Sequence, residues 1–158
     1  QLGLPYVFAN HFAGDGVERA MSLYRQGFVP SERHPKPESF LTANVVVAPT
    51  AAEAEERALP QLRQFARLRS NKPLQKIETI DEVIANPSDA LEQSLMQQNR
   101  QRWFIGEAAE VADRLSAFAE THGVDEVMIS ASAGAYEREP ADETPGRLQT
   151  LELLAEAM

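Results

Sequence analysis

The chain has 158 residues, a length typical of one domain, and 43% of them are hydrophobic, which is enough for a folded core. It contains no cysteine, so disulfide scaffolds, thiolate metal sites and cysteine nucleophiles are excluded. The net charge is −9, and all of the excess negative charge lies in residues 106–158, which contain twelve Asp or Glu and three Arg. Because such a surface repels phosphate, we expect no nucleic acid or membrane partner.

The beginning of the chain resembles the end of a helix. Gln1 stands where a translation start would have Met, and Gln1-Leu2-Gly3 has the pattern of a last helical turn with its terminal glycine. We expect a helix upstream in a longer protein; the alternative is a complete domain that was renumbered or released from a tag. No basic-then-apolar leader opens the chain, and the longest apolar run, residues 45–48, is too short for a bilayer, so we expect a cytoplasmic protein.

Hydrophobic periodicity predicts four strands, each followed by a helix. The predicted strands are residues 4–10, 40–48, 102–106 and 124–130. The predicted helices are residues 17–26, 51–68, 107–121 and a last one from about 148 to 155, with short helical pieces at 80–85 and 88–98. The strands are continuous apolar runs, which favours burial on both faces.

Local signals mark several boundaries. Gly14-Asp15-Gly16 predicts a turn before the first helix, and Gly3 and Gly123 are predicted to be left-handed residues that follow helices. Thr50 with Glu53 has the spacing of a capping box. Pro60 lies ten residues after this cap and should kink or split the helix.

Residues 71–101 form a long polar excursion before the third strand. The segment is rich in Gln and Asn and has too few apolar residues to predict strong anchoring. Excursions of this length are often functional lids, and a surface insertion without a role is the alternative. We expect proteases to cut here first.

Alternating strands and helices predict an α/β fold with a parallel sheet. Two architectures fit: an open doubly wound sheet, and four βα units from a (β/α)8 barrel, which as a whole typically needs about 250 residues. The length favours the open sheet, and the way the chain begins favours half a barrel. Neither Gly14-Asp15-Gly16 nor the turn at Gly106 has the three glycines of a nucleotide loop.

An ordered set of segments resembles the second half of the bacterial luciferase-like flavin-dependent monooxygenases. The segments are LPYVFANHF at residues 4–12, NVVVA at 44–48 with AAEAE at 51–55, FIGEAAEVADRL at 104–115, VDEVMI at 124–129 and LELLAE at 151–156. The order agrees over nearly the whole chain. One departure is Ala108-Ala109, where the family usually has Thr-Pro or Ser-Pro.

The resemblance implies the second half of a (β/α)8 barrel, in one domain of residues 1–158 with an insertion at 71–101. It also implies reduced FMN, or a deazaflavin in some relatives, bound at the carboxyl ends of the strands, with O2 and a small organic substrate. The family's phosphate-binding turn and catalytic histidine lie mostly before this point. We therefore expect the catalytic residues upstream of Gln1, and weak flavin binding, if any, by this chain alone.

The candidate cofactor- or substrate-binding residues follow the predicted strands, where barrel sites form. They are Asn10, His11, Phe12, Gly106 and Ser130. A neutral His11 could donate to a flavin carbonyl or move protons, and Gly106 would let a ring or phosphate approach the backbone. The alternatives are a histidine bonded to backbone and ordinary turn residues, and Trp103 is more commonly a core residue than a stacking one.

Other chemistry has no support in the sequence. The three histidines lack metal-ligand spacing, and Ser130-Ala131-Ser132 lacks the glycine-flanked nucleophile turn, so we expect neither a metal site nor a hydrolase. A second hypothesis is a non-catalytic α/β module that binds flavin or self-associates as a homo-oligomer, because half a barrel exposes parallel strand edges.

Overall fold

A computed structural model describes residues 3–12, 16–140 and 142–158. Ten helices and strands follow one another in these ranges. They are β1 (Tyr6–Phe8), α1 (Val17–Gly27), β2 (Ser39–Val47), α2 (Ala51–Arg69), α3 (Ile80–Ala85), α4 (Ala90–Arg100), β3 (Phe104–Gly106), α5 (Ala108–His122), β4 (Val127–Ala131) and α6 (Pro145–Ala157). The predicted alternation is confirmed, with the excursion between α2 and β3; most of the predicted turn at Gly14 lies outside the described residues.

Strand β2 is the centre of a four-stranded sheet. Its beginning pairs in parallel with β1, and its end pairs in parallel with β3. β4 also pairs with β2: the Leu41 N–H donates to Glu126 O (3.3 Å), and the Ser132 N–H donates to Val45 O (3.0 Å). The predicted α/β fold with a parallel sheet is confirmed. Strands that succeed one another around a barrel would place β4 beside β3, so the half-barrel stays a prediction.

The structure divides into two compact units, and the first comprises residues 1–43 and 114–130. Its buried core residues are Met21, Leu41 and Val124. Tyr6 and Phe8 pack against this core, whereas Val7 between them is 40% exposed. Successive strand residues point to opposite faces, and only one face of β1 is covered. The prediction of a seven-residue first strand buried on both faces is therefore wrong.

Helix α5 ends at Gly123 in the predicted way. Gly123 has φ +58°, its N–H donates to Glu120 O (3.0 Å), and the Val124 N–H donates to Ala119 O (3.1 Å). These two bonds form a Schellman motif, in which a left-handed residue allows carbonyls of the last helical turn to accept hydrogen bonds. Gly3 is also left-handed (φ +57°), as predicted.

We expect Gly123→Ala to lower the free energy of unfolding by about 1 kcal/mol, because a Cβ is disfavoured at positive φ. The new Cβ would also lie 3.3 Å from Arg25 Nη2. Urea unfolding measures the difference. The control is Thr121→Ala, an exposed change in the same turn. Equal midpoints for both variants would contradict the assignment.

The second compact unit comprises residues 44–113 and 131–158. Its core joins the end of β2 to one face of α2. The buried residues are Val46, Ala48, Ala54, Ala58, Leu62, Trp103, Ile105 and Ala133. The Trp103 ring meets Phe65 edge-on at 5.7 Å and is 4% exposed. Trp103 is thus a core residue here.

Helix α2 runs unbroken through Pro60. Thr50 caps the helix as predicted, its Oγ1 accepting from the Glu53 N–H (3.2 Å). Pro60 is fully buried, and the Gly134 N–H donates to Arg57 O at 2.6 Å beside it. A proline inside a helix costs about 3 kcal/mol, and the packing of the buried Pro60 ring next to Gly134 offsets that cost in part. Of the two predicted outcomes, the split is wrong, because α2 continues from Ala51 to Arg69, and the kink stays a prediction.

The excursion is anchored more firmly than its composition indicates. Its helices α3 and α4 form close to the predicted ranges, and α4 packs against α2. Ile80 is fully buried, and its N–H donates to Ala135 O (2.9 Å). Thr79 and Glu82 form a complete capping box at the start of α3. Other apolar side chains of the segment, Leu74, Ile77, Ile84 and Leu91, stay exposed.

A buried carboxylate ties the excursion to α2. Glu92 on α4 is only 5% exposed and lies 3.0 Å from Lys72 Nζ. Two arginines of α2 approach the same carboxylate, Arg67 at 3.5 Å and Arg63 at 3.7 Å. Burial alone would raise the pKa of Glu92, but the hydrogen bonds from Lys72 and Ser88, together with the charges of Lys72 and Arg63, outweigh burial and lower it. Glu92 is therefore charged at neutral pH.

Candidate functional site

His11 lies just beyond the carboxyl end of β1, and β2 fixes its position. The His11 N–H donates to Thr42 Oγ1 (3.2 Å), and ring Nδ1 lies 2.5 Å from the same oxygen. The Thr42 hydroxyl donates in turn to Phe8 O (3.3 Å). Thr42 is 1% exposed and His11 is half-buried. The imidazole is therefore held against β2 by a buried side chain.

The Thr42 contacts are compatible with either hydrogen-bonding role of His11 Nδ1. A hydroxyl has one proton and two lone pairs. If that proton goes to Phe8 O (3.3 Å), the oxygen accepts from the His11 backbone N–H and from Nδ1–H. If it goes to Nδ1 (2.5 Å), Nδ1 accepts and the ring proton lies on Nε2. In both cases Thr42 fixes the orientation of the imidazole.

Asn10 and Phe12 frame His11 in a tight turn. The Asn10 N–H donates to Phe8 O (2.8 Å), and the Phe12 N–H donates to Ala9 O (3.0 Å). Asn10 is half-buried, whereas Phe12 is 56% exposed. An exposed aromatic ring beside a fixed imidazole places apolar surface next to a hydrogen-bonding ring nitrogen.

Gly106 is needed for its backbone conformation. It ends β3 opposite Val47, with φ +153°, and its carbonyl accepts from the Ala48 N–H (3.3 Å). A Cβ here would lie 3.2 Å from Glu110 Oε2. The space beside Gly106 therefore borders the Glu110 side chain.

Ser130 is half-buried on β4 and belongs to the same compact unit as His11, whereas Gly106 belongs to the other unit. Ser132, two residues on, is buried, and its hydroxyl donates to Asn44 Oδ1 (3.0 Å). Sequence reasoning missed Thr42 and Asn44. Two polar residues inside the apolar strand β2 were the available signal, because buried polar groups need partners.

A buried arginine holds the β4–α6 loop (residues 132–140). Arg57 on α2 is 5% exposed and donates to Glu139 through Nη1 and Nη2 (3.2 and 2.9 Å). Nη1 also donates to Gly134 O (3.2 Å), and Nε donates to Glu53 Oε1 (2.8 Å). Sequence reasoning missed this cluster; its signal was a charged residue on the apolar stripe of α2.

The charge states of the Arg57 cluster favour a structural role over proton transfer. Burial opposes the charge of Arg57, but the hydrogen bonds to Glu139 and Glu53 and the negative charges of both carboxylates together outweigh burial and raise the arginine pKa. The same hydrogen bond lowers the pKa of Glu139 in spite of its burial. Burial, with a hydrogen bond to Glu56 (2.7 Å), raises the pKa of Tyr136 to about 12. None of these groups changes charge near neutral pH.

The remaining histidines have local partners. His34 Nδ1 lies 3.1 Å from Glu38 Oε2, and the His122 ring packs edge-on against Phe118. Within residues 3–12, 16–140 and 142–158, no three His, Asp or Glu side chains gather as metal ligands would. In the same ranges, every helix is too short or too polar to cross a bilayer.

Comparison with known sequences identifies relatives for most of the chain. The family model of luciferase-like monooxygenases matches residues 1–126. A luciferase-like monooxygenase of Escherichia coli (strain K12) is 33% identical over 133 residues, which is 82% of this chain and 38% of the relative. Protein YceB of Bacillus subtilis (strain 168) is 32% identical over 136 residues, 85% of this chain and 40% of YceB. The chain thus spans about two fifths of these relatives.

Solved structures agree with this relationship. The crystal structure of apo-MsnO8 matches with a TM-score of 0.78 and 28% identity, over 99% of this chain and 45% of that one. The monooxygenase RslO1 from Streptomyces bottropensis shares the fold, with a TM-score of 0.53 and 18% identity over 99% of this chain and 41% of its own. With a family model that matches well over half of its residues, the chain belongs to the luciferase-like monooxygenase family.

Proposed function

We propose that this chain is the carboxyl-terminal half of a barrel enzyme that oxidises a small organic substrate with O2 and reduced FMN. The match to the luciferase-like monooxygenase model carries this proposal. Four strands, each followed by a helix, agree with four βα units of such a barrel. A deazaflavin in place of FMN is the alternative cofactor.

The described residues fit one part of a flavin. His11, held by Thr42, offers a fixed hydrogen-bonding nitrogen, and Phe12 offers exposed aromatic surface. Both suit a flat ring with polar edges. The turn at Gly106 has only one glycine and lacks the pattern of a phosphate-binding loop. We therefore propose that this chain contacts the ring system and that the phosphate is held elsewhere in the longer protein.

Reduced flavin, when bound, supplies the electrons that activate O2. His11 would hold or accept a proton at a ring nitrogen, and Thr42 would keep the imidazole in one orientation. Phe12 would shield the reacting ring from water on one side, which limits unproductive reactions. Thr42 is a positioning residue in this scheme, since it acts through His11.

The proposal is tested with His11→Gln in the full-length protein that contains this chain. Proton transfer by a positioned side chain typically contributes about 10²–10⁴-fold to a rate. We expect the oxidation of reduced FMN by O2, followed by stopped-flow absorbance, to slow by about 10²-fold. Thr42→Val should slow it less and shift its pH profile, because the imidazole loses its orientation but not its lone pair.

The matched control is His34→Gln, which changes a histidine in the loop before β2 and should leave the rate unchanged. Equal rates for His11→Gln and His34→Gln would remove His11 from the site. A full-length protein that oxidises no flavin at all would favour the non-catalytic module instead.

We further expect the 158-residue chain alone to bind FMN weakly or not at all. Phosphate contacts supply much of the affinity for a mononucleotide, and we expect the phosphate-binding turn to lie in the part of the longer protein before this chain. Quenching of flavin fluorescence on titration with the chain measures the affinity. Binding in the micromolar range would show that the site is complete without further segments.

A further inference from the structure

A cavity of about 260 Å³ opens in the second compact unit, and His11 is not among its lining residues. Four segments line it. Helix α2 contributes Gln61, the excursion contributes Ile77 to Thr79, the β4–α6 loop contributes Ala133 to Ala135 and Pro140, and the start of α6 contributes Thr144, Gly146 and Arg147. Helix α2, the excursion and the region before α6 are far apart in sequence, so the cavity exists only in the folded chain.

Hydrogen bonds fix the walls of this cavity. The Gly134 N–H donates to Arg57 O at 2.6 Å, and Arg57 Nη1 donates back to Gly134 O at 3.2 Å. Ile80 N–H donates to Ala135 O (2.9 Å), which joins the excursion to the loop. Any Cβ on Gly146 would lie 2.7 Å from Arg57 Nη1. The cavity is therefore preorganised, which lowers the entropic cost of binding.

The uncompensated charge at the cavity is positive. Glu78 lines it, but two arginines neutralise this carboxylate, Arg67 at 2.9 Å and Arg63 at 3.4 Å. Arg147 also lines it, and among the described residues no carboxylate lies within ion-pair distance of its guanidinium. A ligand with one negative charge would form an ion pair with Arg147.

One part of the wall is apolar. Ala133, Ala135 and Pro140 carry only hydrocarbon side chains, and Ile77 is 47% exposed beside them. Uncharged polar side chains complete the lining, namely Gln61, Thr79 and Thr144. The volume is below the ~300–1,000 Å³ of pockets for drug-sized ligands, so the ligand is smaller. From the apolar wall and the single unpaired cation we infer that this cavity binds a small amphipathic carboxylate, with its aliphatic part on Ala133 and Ala135 and its carboxylate at Arg147.

To test this inference, the 158-residue chain is titrated with hexanoate and, separately, with 1-hexanol as an uncharged analogue. Amide chemical shifts are recorded by NMR at each step. We expect saturable shifts at Ala133–Ala135 and Gly146–Arg147, and tighter binding of hexanoate than of hexanol. Arg147→Gln should weaken hexanoate binding about three- to fivefold, the range of one partly exposed ion pair, and leave hexanol binding unchanged. High salt should weaken hexanoate binding in the same way.

Two further variants make the result decisive. Arg19→Gln removes an exposed cation of α1 and should change neither affinity, whereas Ala135→Leu should fill the cavity and abolish both. Circular dichroism checks that each variant is folded. No saturable binding, equal affinity for hexanoate and hexanol, shifts elsewhere in the chain, or an Arg147→Gln variant that binds hexanoate like the wild type would each overturn the inference. The outcome does not depend on flavin, so it is separable from the proposed function.

Discussion

Replacing Arg57 by Met is expected to lower the free energy of unfolding by about 3–5 kcal/mol, the cost of removing one partner from a buried ion pair. The side chain is 6% exposed and serves two carboxylates, Glu53 and Glu139, together with Gly134 O. All three acceptors would lose their donor. Urea unfolding at pH 7 measures the loss. Arg57→Lys should recover only part of it, because an ammonium cannot reproduce the paired bonds to Glu139.

The pH dependence separates this charge effect from a packing effect. The pKa of Glu139 is lowered in the folded chain, mainly by the hydrogen bond from Arg57. Its stabilisation is therefore complete above its ordinary pKa of 4.5 and is lost as the pH falls through the lowered value. We expect the difference between wild type and Arg57→Met to shrink in that acid range. A difference that stays constant with pH would assign the loss to packing alone.

Glu92→Gln is expected to release the excursion from α2. The carboxylate is 5% exposed and is shared by Arg63, Arg67 and Lys72. The glutamine amide keeps the shape of the side chain but removes the negative charge that Arg63 and Arg67 approach. A cost of about 2 kcal/mol, below the 3–5 kcal/mol of a fully buried pair because Lys72 is partly exposed, makes local opening about 30-fold more frequent. Thermolysin cleavage between residues 72 and 100 should accelerate by that factor.

The matched control is Lys76→Gln, which removes the exposed ion pair with Glu82 and should leave the cleavage rate unchanged. In the wild type we still expect the first cut in this segment, with protection by flavin and substrate in the full-length protein. Amide exchange in α4 as slow as in α5 in the absence of ligand would make the excursion a fixed insertion and end the lid hypothesis.

Several elements could be predicted because their signals are local. The Thr50 cap needs only a side chain within one turn of free backbone donors, and Gly123 needs only a residue that tolerates positive φ. Helix α3 was predicted with its observed bounds from a short apolar pattern. Thr79-x-x-Glu82 before it carried the same kind of signal and was overlooked.

Other features depend on the tertiary structure. Pro60 should break a helix by local rules, yet α2 continues through it because Gly134 and the core pack around the proline. β1 was predicted too long, since an apolar run does not reveal how far a neighbouring strand will pair with it. The pairing of β4 with β2 could not be predicted either, because strand order is absent from a list of strands.

The sequence by itself determined the order of strands and helices, the parallel α/β class and the position of His11 after the first strand. Only the tertiary structure decided what His11 and Arg57 do. Thr42 lies 31 residues from His11, and Glu139 lies 82 residues from Arg57. Such pairs form when a strand register or a loop path brings them within about 3 Å of each other. The hydrogen bonds then fix the orientation of His11 and the charge states around Arg57, and neither can be derived from residues that are adjacent in the sequence.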